Sequence, residues 1–391
     1  MLQCSTLAET GLLFREFIAH GIHVVLLQAR GEYMFLFARF WGWSRTGEQQ
    51  MKNLIMMLVF CNLLGWGERA NGQESPALSA KPPIHLTKVE GRMDHLGVDV
   101  KGQRLFATAF DNHTLEVIDL KTGRQVHTIS NLDEPQGAFY DAASNRLFEA
   151  NGGDGTVKIF DGTTFQLLQT VTLDLDADNV RYDARSKHIV VGYGGEKFLA
   201  GKVARPGGGG ALAILDSNGK IVGDIAMDAH PESFQLEKIG TRVFVNVPDK
   251  QEVEVADLTK GTVLARWPVT CTTNFPMALD EAHHRLFVGC RMPARLAVFN
   301  TDTGKIVASP AIVEHTDDLF FDASKGRIYI LGEGFIEAWQ EKDPDHYERI
   351  GRFPTPADGR TGLFVPDLGE LFETIPHHGQ QGAEILVYEI K

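Results

Sequence analysis

The chain is poor in cysteine, with four in 391 residues. None forms a Cys-x-x-Cys pair, which excludes a dithiol redox motif, a zinc ribbon and a c-type haem attachment. His-Glu-x-x-His, a Walker-type phosphate loop and a Gly-x-Ser-x-Gly elbow are also missing, so three common catalytic signatures are ruled out. Charged residues make up only 23%, and positive charge is in deficit, with a net charge of −13. A nucleic-acid backbone requires a basic surface, so it is disfavoured as a partner. The apolar run Leu54–Trp66 has 13 residues, short of the roughly 20 that span a bilayer as a helix. Glycine, by contrast, is plentiful at 40 residues, beside 43% hydrophobic residues. That balance points to many turns and short strands around a sizeable core.

That apolar run has a recognisable setting. Met51-Lys52-Asn53 precedes it as a short positive stretch, and Ala70-Asn71-Gly72 follows with small residues before Gln73. This is a secretory signal layout, so Met51 is expected to be the initiator and 51–72 a signal peptide cut before Gln73. Residues 1–50 are then upstream sequence or a disordered extension, and 73–83 a linker. Phe60 before Cys61 is too large for a lipoprotein signal. The expectation is a periplasmic or secreted bacterial protein with no transmembrane anchor in its mature form. Export permits a disulfide between the two remaining cysteines, Cys271 and Cys290. With Cys290 opposite Phe275 on paired strands, however, Cys271 lies four residues back, about 13 Å along an extended chain. That exceeds the ~5.5 Å Cα separation of a disulfide, and two free buried thiols are expected.

A repeat organises the rest. VDVKGQRLFATA, YDAASNRLFEAN, YDARSKHIVVGY, LEKIGTRVFVNV, LDEAHHRLFVGC, FDASKGRIYILG and FVPDLGELFETI follow one pattern. Their second residues or equivalents, Asp99, Asp141, Asp183, Glu237, Asp280, Asp322 and Val365, lie 42, 42, 54, 43, 42 and 43 apart. Each unit reads as four strands separated by turns, such as Asp154-Gly155 and Asn218-Gly219. Four strands in about 42 residues, repeated seven times, make an all-β, seven-bladed β-propeller over 84–391. The last unit has only three strands, so Ile84–Val89 is expected to supply the fourth and close the ring.

Glu116-Val117-Ile118-Asp119-Leu120-Lys121-Thr122-Gly123-Arg124 resembles the YVTN-type repeat of bacterial YncE-like propellers. The segments 230–237, 274–281 and 316–320 resemble exported members of that group, and the Gly-His and Trp-Asp pairs of WD40 repeats are absent. The resemblance implies fold and export; it names no reaction.

In a propeller the loop entering each innermost strand lies at one mouth of the channel. Counting five residues back from each anchor gives Asp94, Gln136, Asp178, Glu232, Phe275, Asp317 and Arg360; four back gives His95, Gly137, Asn179, Ser233, Pro276, Asp318 and Thr361. Three back is mostly apolar. Two polar rings are therefore expected at one mouth, with Asp317 and Asp318 outside the core. The expected ligand-binding set is Asp94, His95, Gln136, Asp178, Asn179, Glu232, Asn274, Asp317, Asp318 and Arg360. Glu134, Asp178, Glu232 and Asp318 are candidate ligands for a divalent cation, calcium if oxygens dominate and a transition metal if histidine joins. The 54-residue interval inserts a Gly-rich, basic segment, 192–210, expected to project over this mouth. These features suggest a monomeric binding or scaffold module for a small polar ligand or another exported protein. The alternative is a metal-assisted hydrolase of the propeller lactonase type, with His230 or His315 as general base. A DNA-binding role is the weakest reading on charge.

Overall fold

The computed structural model describes residues 77–195 and 208–391. It also gives the backbone of strands Cys4–Thr6, Leu13–Ala19, Ile22–Ala29, Glu32–Phe40, Phe198–Leu199 and Lys202–Val203. The chain divides into two units, 1–74 and 75–391. The first contains a four-stranded antiparallel meander of the four strands between 4 and 40. The expected signal peptide, 51–72, lies outside the described residues.

The second unit is a seven-bladed β-propeller, each blade a four-stranded antiparallel meander. Blade 1 shows the pattern: Leu96–Asp99 innermost, then Arg104–Ala109, Thr114–Asp119 and Arg124–Ser130. The other innermost strands are Pro135–Asp141, Val180–Asp183, Phe234–Leu236, Thr272–Asp280, Asp318–Asp322 and Gly362–Val365. Among the described residues no α-helix occurs, and no helix is long and apolar enough to cross a membrane.

The repeated anchor has a local cause. Asp99 accepts a hydrogen bond from the Gly102 N–H at 2.8 Å and pairs with Arg104 at 2.7 Å. Asp141, Asp183 and Asp322 accept from backbone N–H groups two residues on. A carboxylate at this position satisfies turn donors that the ladder cannot reach. The residue before the second strand is left-handed in most blades, as at Gln103, Asn145, Lys187 and His284. Blade 7 has Val365 instead, and there a short 3-10 turn, Pro366–Leu368, closed by left-handed Gly369, does the same job.

The aromatic of the Arg-Leu-Phe stretch fills the space between blades. Phe106, Phe148, Phe244, Phe287, Tyr329 and Phe372 are all fully buried on second strands. Phe106, Phe287 and Tyr329 pack in tilted pairs against Tyr140, Phe321 and Phe364 of the following blade at 5.3–5.8 Å between ring centres. Such side chains contribute about 1.5–3 kcal/mol each by burial; six units place an aromatic there, and unit three has the buried Val190 instead. Closer to the axis, the blades leave no room for side chains at two positions. A Cβ on Gly97 would meet the Ala138 carbonyl at 2.6 Å, and one on Gly137 the Asp178 carbonyl at 2.3 Å.

The ring closes as the three-stranded last unit requires, with a difference in extent. The outer strand of blade 7 begins at Leu78, inside the segment read as linker. Leu78–Ala80 pairs with Tyr388–Ile390, and Ile84–His85 with Glu384 and Ile385. Pro82-Pro83 interrupts the ladder because proline has no N–H to give it. Beyond Leu86 the chain leaves the sheet, with left-handed Lys88.

Cys271 and Cys290 form a disulfide, with Cα atoms 6.0 Å apart, contrary to the expectation of free thiols. The strand does not run straight back to Cys271. Thr273 is left-handed (φ 55°), and the register shifts between Asn274 and Met277, so Asn274 and not Phe275 faces Cys290. The kink folds Cys271 onto its partner.

Candidate functional site

Both polar rings lie at one end of the channel. Asp94, Gln136, Asp178, Asn179, Asn274 and Asp318 are all less than a tenth exposed. Glu232, Asp317, Arg360 and His95 are half-buried. Asp318 corrects the expectation of a residue outside the core. It opens the innermost strand of blade 6, and its Oδ2 accepts from the Gly362 N–H (2.8 Å) of blade 7 and faces His95 Nδ1 (3.2 Å) of blade 1. One carboxylate thus ties three blades together.

His95 is the hub. Its Nε2 lies 3.3 Å from Asn179 Nδ2, 3.8 Å from Asp94 Oδ1 and 3.9 Å from Asp178 Oδ1. Burial opposes its protonation, but Asp318, Asp94 and Asp178 outweigh that and lift its pKa to about 10. Arg92 pairs with Asp94, whose carboxylate holds the guanidinium above its usual range. Asp317 sits between two arginines, Arg291 and Arg360, the latter at 3.2 Å. Burial raises its pKa, and the arginines only partly pull it back. Gln136 donates to Asp176 at 3.1 Å. Asn274 turns away from the axis, donating to Asn246 Oδ1 (3.0 Å) and the Glu252 carbonyl (3.1 Å).

The long interval of unit three acts here. Gly195, with φ +94°, sits so close to His230 that a Cβ would meet the His230 backbone nitrogen at 2.7 Å. The neighbouring Gly194 carbonyl lies 2.7 Å from His230 Nδ1. The root of the insertion therefore fixes the His230 ring. Backbone strands Phe198–Leu199 and Lys202–Val203 pair with each other; residues 196, 197, 200, 201 and 204–207 of the expected flap lie outside the described residues. His230 Nε2 faces Glu232 Oε2 at 3.8 Å and Asp178 Oδ2 at 3.9 Å. Burial disfavours the His230 cation, yet Asp178, Asp176 and Glu232 raise its pKa to about 10. Burial and the Asp178 charge also raise the Glu232 pKa, to about 8, against the pull of His230.

The structure therefore joins some of the expected residues and separates others. Asp178 and Glu232 converge with His230. Asp318 is engaged by Gly362 and His95. Glu134 is half-buried beside His113, its N–H 3.4 Å from the His113 ring, and is not among the converging groups. His315 is exposed and left-handed, outside the cluster that holds His230. Sequence reading missed Arg291 and Arg181. Arg291 lies one residue from the end of the second strand of blade 5, donates to the Thr316 carbonyl at 2.9 Å and lies 3.9 Å over the Phe275 ring. The loop after each second strand shares the mouth, so reading those loops for charge would have found it.

Arg181 lies two residues before its anchor. That position, in Gly97, Phe139, Arg181, Gln235, Phe320 and Leu363, lines a channel cavity of about 320 Å³ below His95 and Asp318. Burial lowers the Arg181 pKa despite Asp318 and Asp178.

Four atoms of the mouth loops are buried without a hydrogen-bond partner, Asp178 Oδ1, Asn179 Oδ1, Asn274 Oδ1 and Thr316 Oγ1, and the first two belong to residues flanking His95. Both are acceptors. Comparison with protein families finds no model that matches the chain, and comparison with curated proteins finds no match either.

Proposed function

We propose that the protein is an exported binding module that takes a small, hydrogen-bond-donating ligand at the acidic mouth of its channel. The observation that carries this reading is the pair of buried, unpartnered acceptors, Asp178 Oδ1 and Asn179 Oδ1. A solvated loop face would leave its charges in water. A buried acceptor without a donor costs about 1–3 kcal/mol, and a bound donor removes that cost. Sugars, polyols and amines offer such donors; a simple oxyanion does not. Export is supported by the Met51–Gly72 layout and by the Cys271–Cys290 disulfide, which suits an oxidising compartment. The YVTN-type repeats favour a place beside exported YncE-like propellers. A single chain closes its own ring through Leu78–Ala80, which favours a monomer.

The test is a thermal-shift panel of sugars, polyols, amines and oxyanions on the protein as isolated. Donor-rich compounds should raise the melting temperature of the wild type and leave that of Asp178→Ala unchanged. A silent panel, or equal shifts in the variant, would remove the reading.

A further inference from the structure

Three groups among the described residues bring together histidine or carboxylate atoms at ligand spacing. Two are already engaged. In Asp280–His283–Glu341, Asp280 binds the His283 ring at 2.6 Å within its turn, and His283 is exposed. In Asp228–Glu252–Glu254, Asp228 is held by two nitrogens of Arg266 at 2.6 and 2.9 Å. The third, Asp178–His230–Glu232, sits in the channel mouth and differs in three respects.

Its histidine is aimed. The Gly194 carbonyl at 2.7 Å from Nδ1 takes that N–H and leaves Nε2 facing the two carboxylates. A backbone acceptor behind a histidine is the usual device that orients a metal ligand. Next, Asp178 is 5% exposed and turns Oδ2 to His230, while its Oδ1, without a hydrogen-bond partner, faces His95 Nε2 at 3.9 Å. Finally, the spacing fits. His230 Nε2 lies 3.8 Å from Glu232 Oε2 and 3.9 Å from Asp178 Oδ2, and the three ligand atoms are within 4.8 Å of one another. A point equidistant from three atoms so placed is roughly 2–2.5 Å from each, against about 2.0–2.2 Å in nitrogen- and carboxylate-ligated zinc sites.

We propose that Asp178, His230 and Glu232 bind a divalent first-row transition metal ion. One imidazole and two carboxylates suit zinc, manganese or iron better than calcium, which takes oxygens alone. Three protein ligands leave coordination positions open for water or for an oxygen of the bound molecule. This deepens the binding reading of the same mouth and rests on it: the ligand class narrows to donor-rich molecules that also carry a metal-binding oxygen.

The probe is Co(II) alone, added to EDTA-stripped protein and followed by its visible absorption. One equivalent should bind. His230→Ala and Glu232→Gln should each weaken binding at least about tenfold while keeping the wild-type circular dichroism. His283→Ala, in the engaged cluster, should bind like the wild type. Absence of Co(II) binding, or binding indifferent to His230→Ala, would overturn the proposal, and so would loss of binding in His283→Ala. If Co(II) fails while the donor-rich compounds still shift the wild type, the metal alone falls. If both fail, the mouth is not a site.

Discussion

Glu149 and Glu373 hold carboxyl groups where water does not reach; both are fully buried. Burial lifts each pKa from 4.5 to about 8, only partly opposed for Glu149 by the Asn151 hydrogen bond. A carboxyl raised in the folded state keeps a proton that the unfolded chain releases. Stability therefore falls as pH rises from about 4.5 through about 8. Urea midpoints at pH 5 and pH 9 should show that fall, and Glu149→Gln should flatten it; a steeper fall in the variant would contradict the assignment. Asp318 gives a second residue-scale test. Asp318→Ala leaves the Gly362 N–H and His95 without their acceptor, and should cost about 1–3 kcal/mol of unfolding free energy. A variant as stable as the wild type would mean that the carboxylate does not tie the blades.

These residues also show why part of the site was legible and part was not. The polar rings could be counted from the anchors because the turn after each innermost strand has nearly fixed length. Their burial could not be counted. It depends on how closely neighbouring blades approach, as at Gly97 and Gly137, and a sequence period carries no radial distance. Phe139 illustrates this: its place in the repeat reads as core, yet it is half-buried, lines the channel and stacks on Tyr182 at 5.3 Å.

At the scale of elements, the strand order followed from the repeat, while the ends of strands did not. The Cys271 expectation failed at left-handed Thr273; that conformation recurs seven residues before the anchor at Glu134, Asp176, His315 and Asp358, but these residue types share no signal that announces it. The closing strand began six residues early because Leu78-Ser79-Ala80 is too short to show alternation. Its role is testable. A chain beginning at Ile84 loses the pairing of Leu78, Ser79 and Ala80 with Ile390, Glu389 and Tyr388 and exposes a strand edge. It should melt lower than a chain beginning at Gln73 and associate with rising concentration in sedimentation. Equal melting and a clean monomer would show that Ile84–His85 closes the ring alone.

At the scale of the whole propeller, the blades are joined by packing between neighbours, and among the described residues one disulfide links two segments within blade 5. The cysteines are 19 residues apart, so closing that loop should stabilise the fold by about 3 kcal/mol. Denaturation with and without reductant, and of the Cys271→Ala/Cys290→Ala protein, should show that difference; none would place the cysteines apart in solution. The ring geometry also explains how a chain with net charge −13 assembles a mixed-sign mouth. Arg92, Arg291 and Arg360 come from blades 1, 5 and 7 to meet Asp94 and Asp317. Asp178, by contrast, keeps one buried oxygen without a hydrogen bond, with His95 Nε2 3.9 Å away.

The most direct test of that mouth as a binding site is native mass spectrometry of wild type and Asp178→Ala, expressed and isolated side by side. The account predicts a non-covalent adduct on the wild type that Asp178→Ala, folded to the same extent, does not carry. Both proteins at their bare polypeptide masses, with no adduct on either, would contradict it.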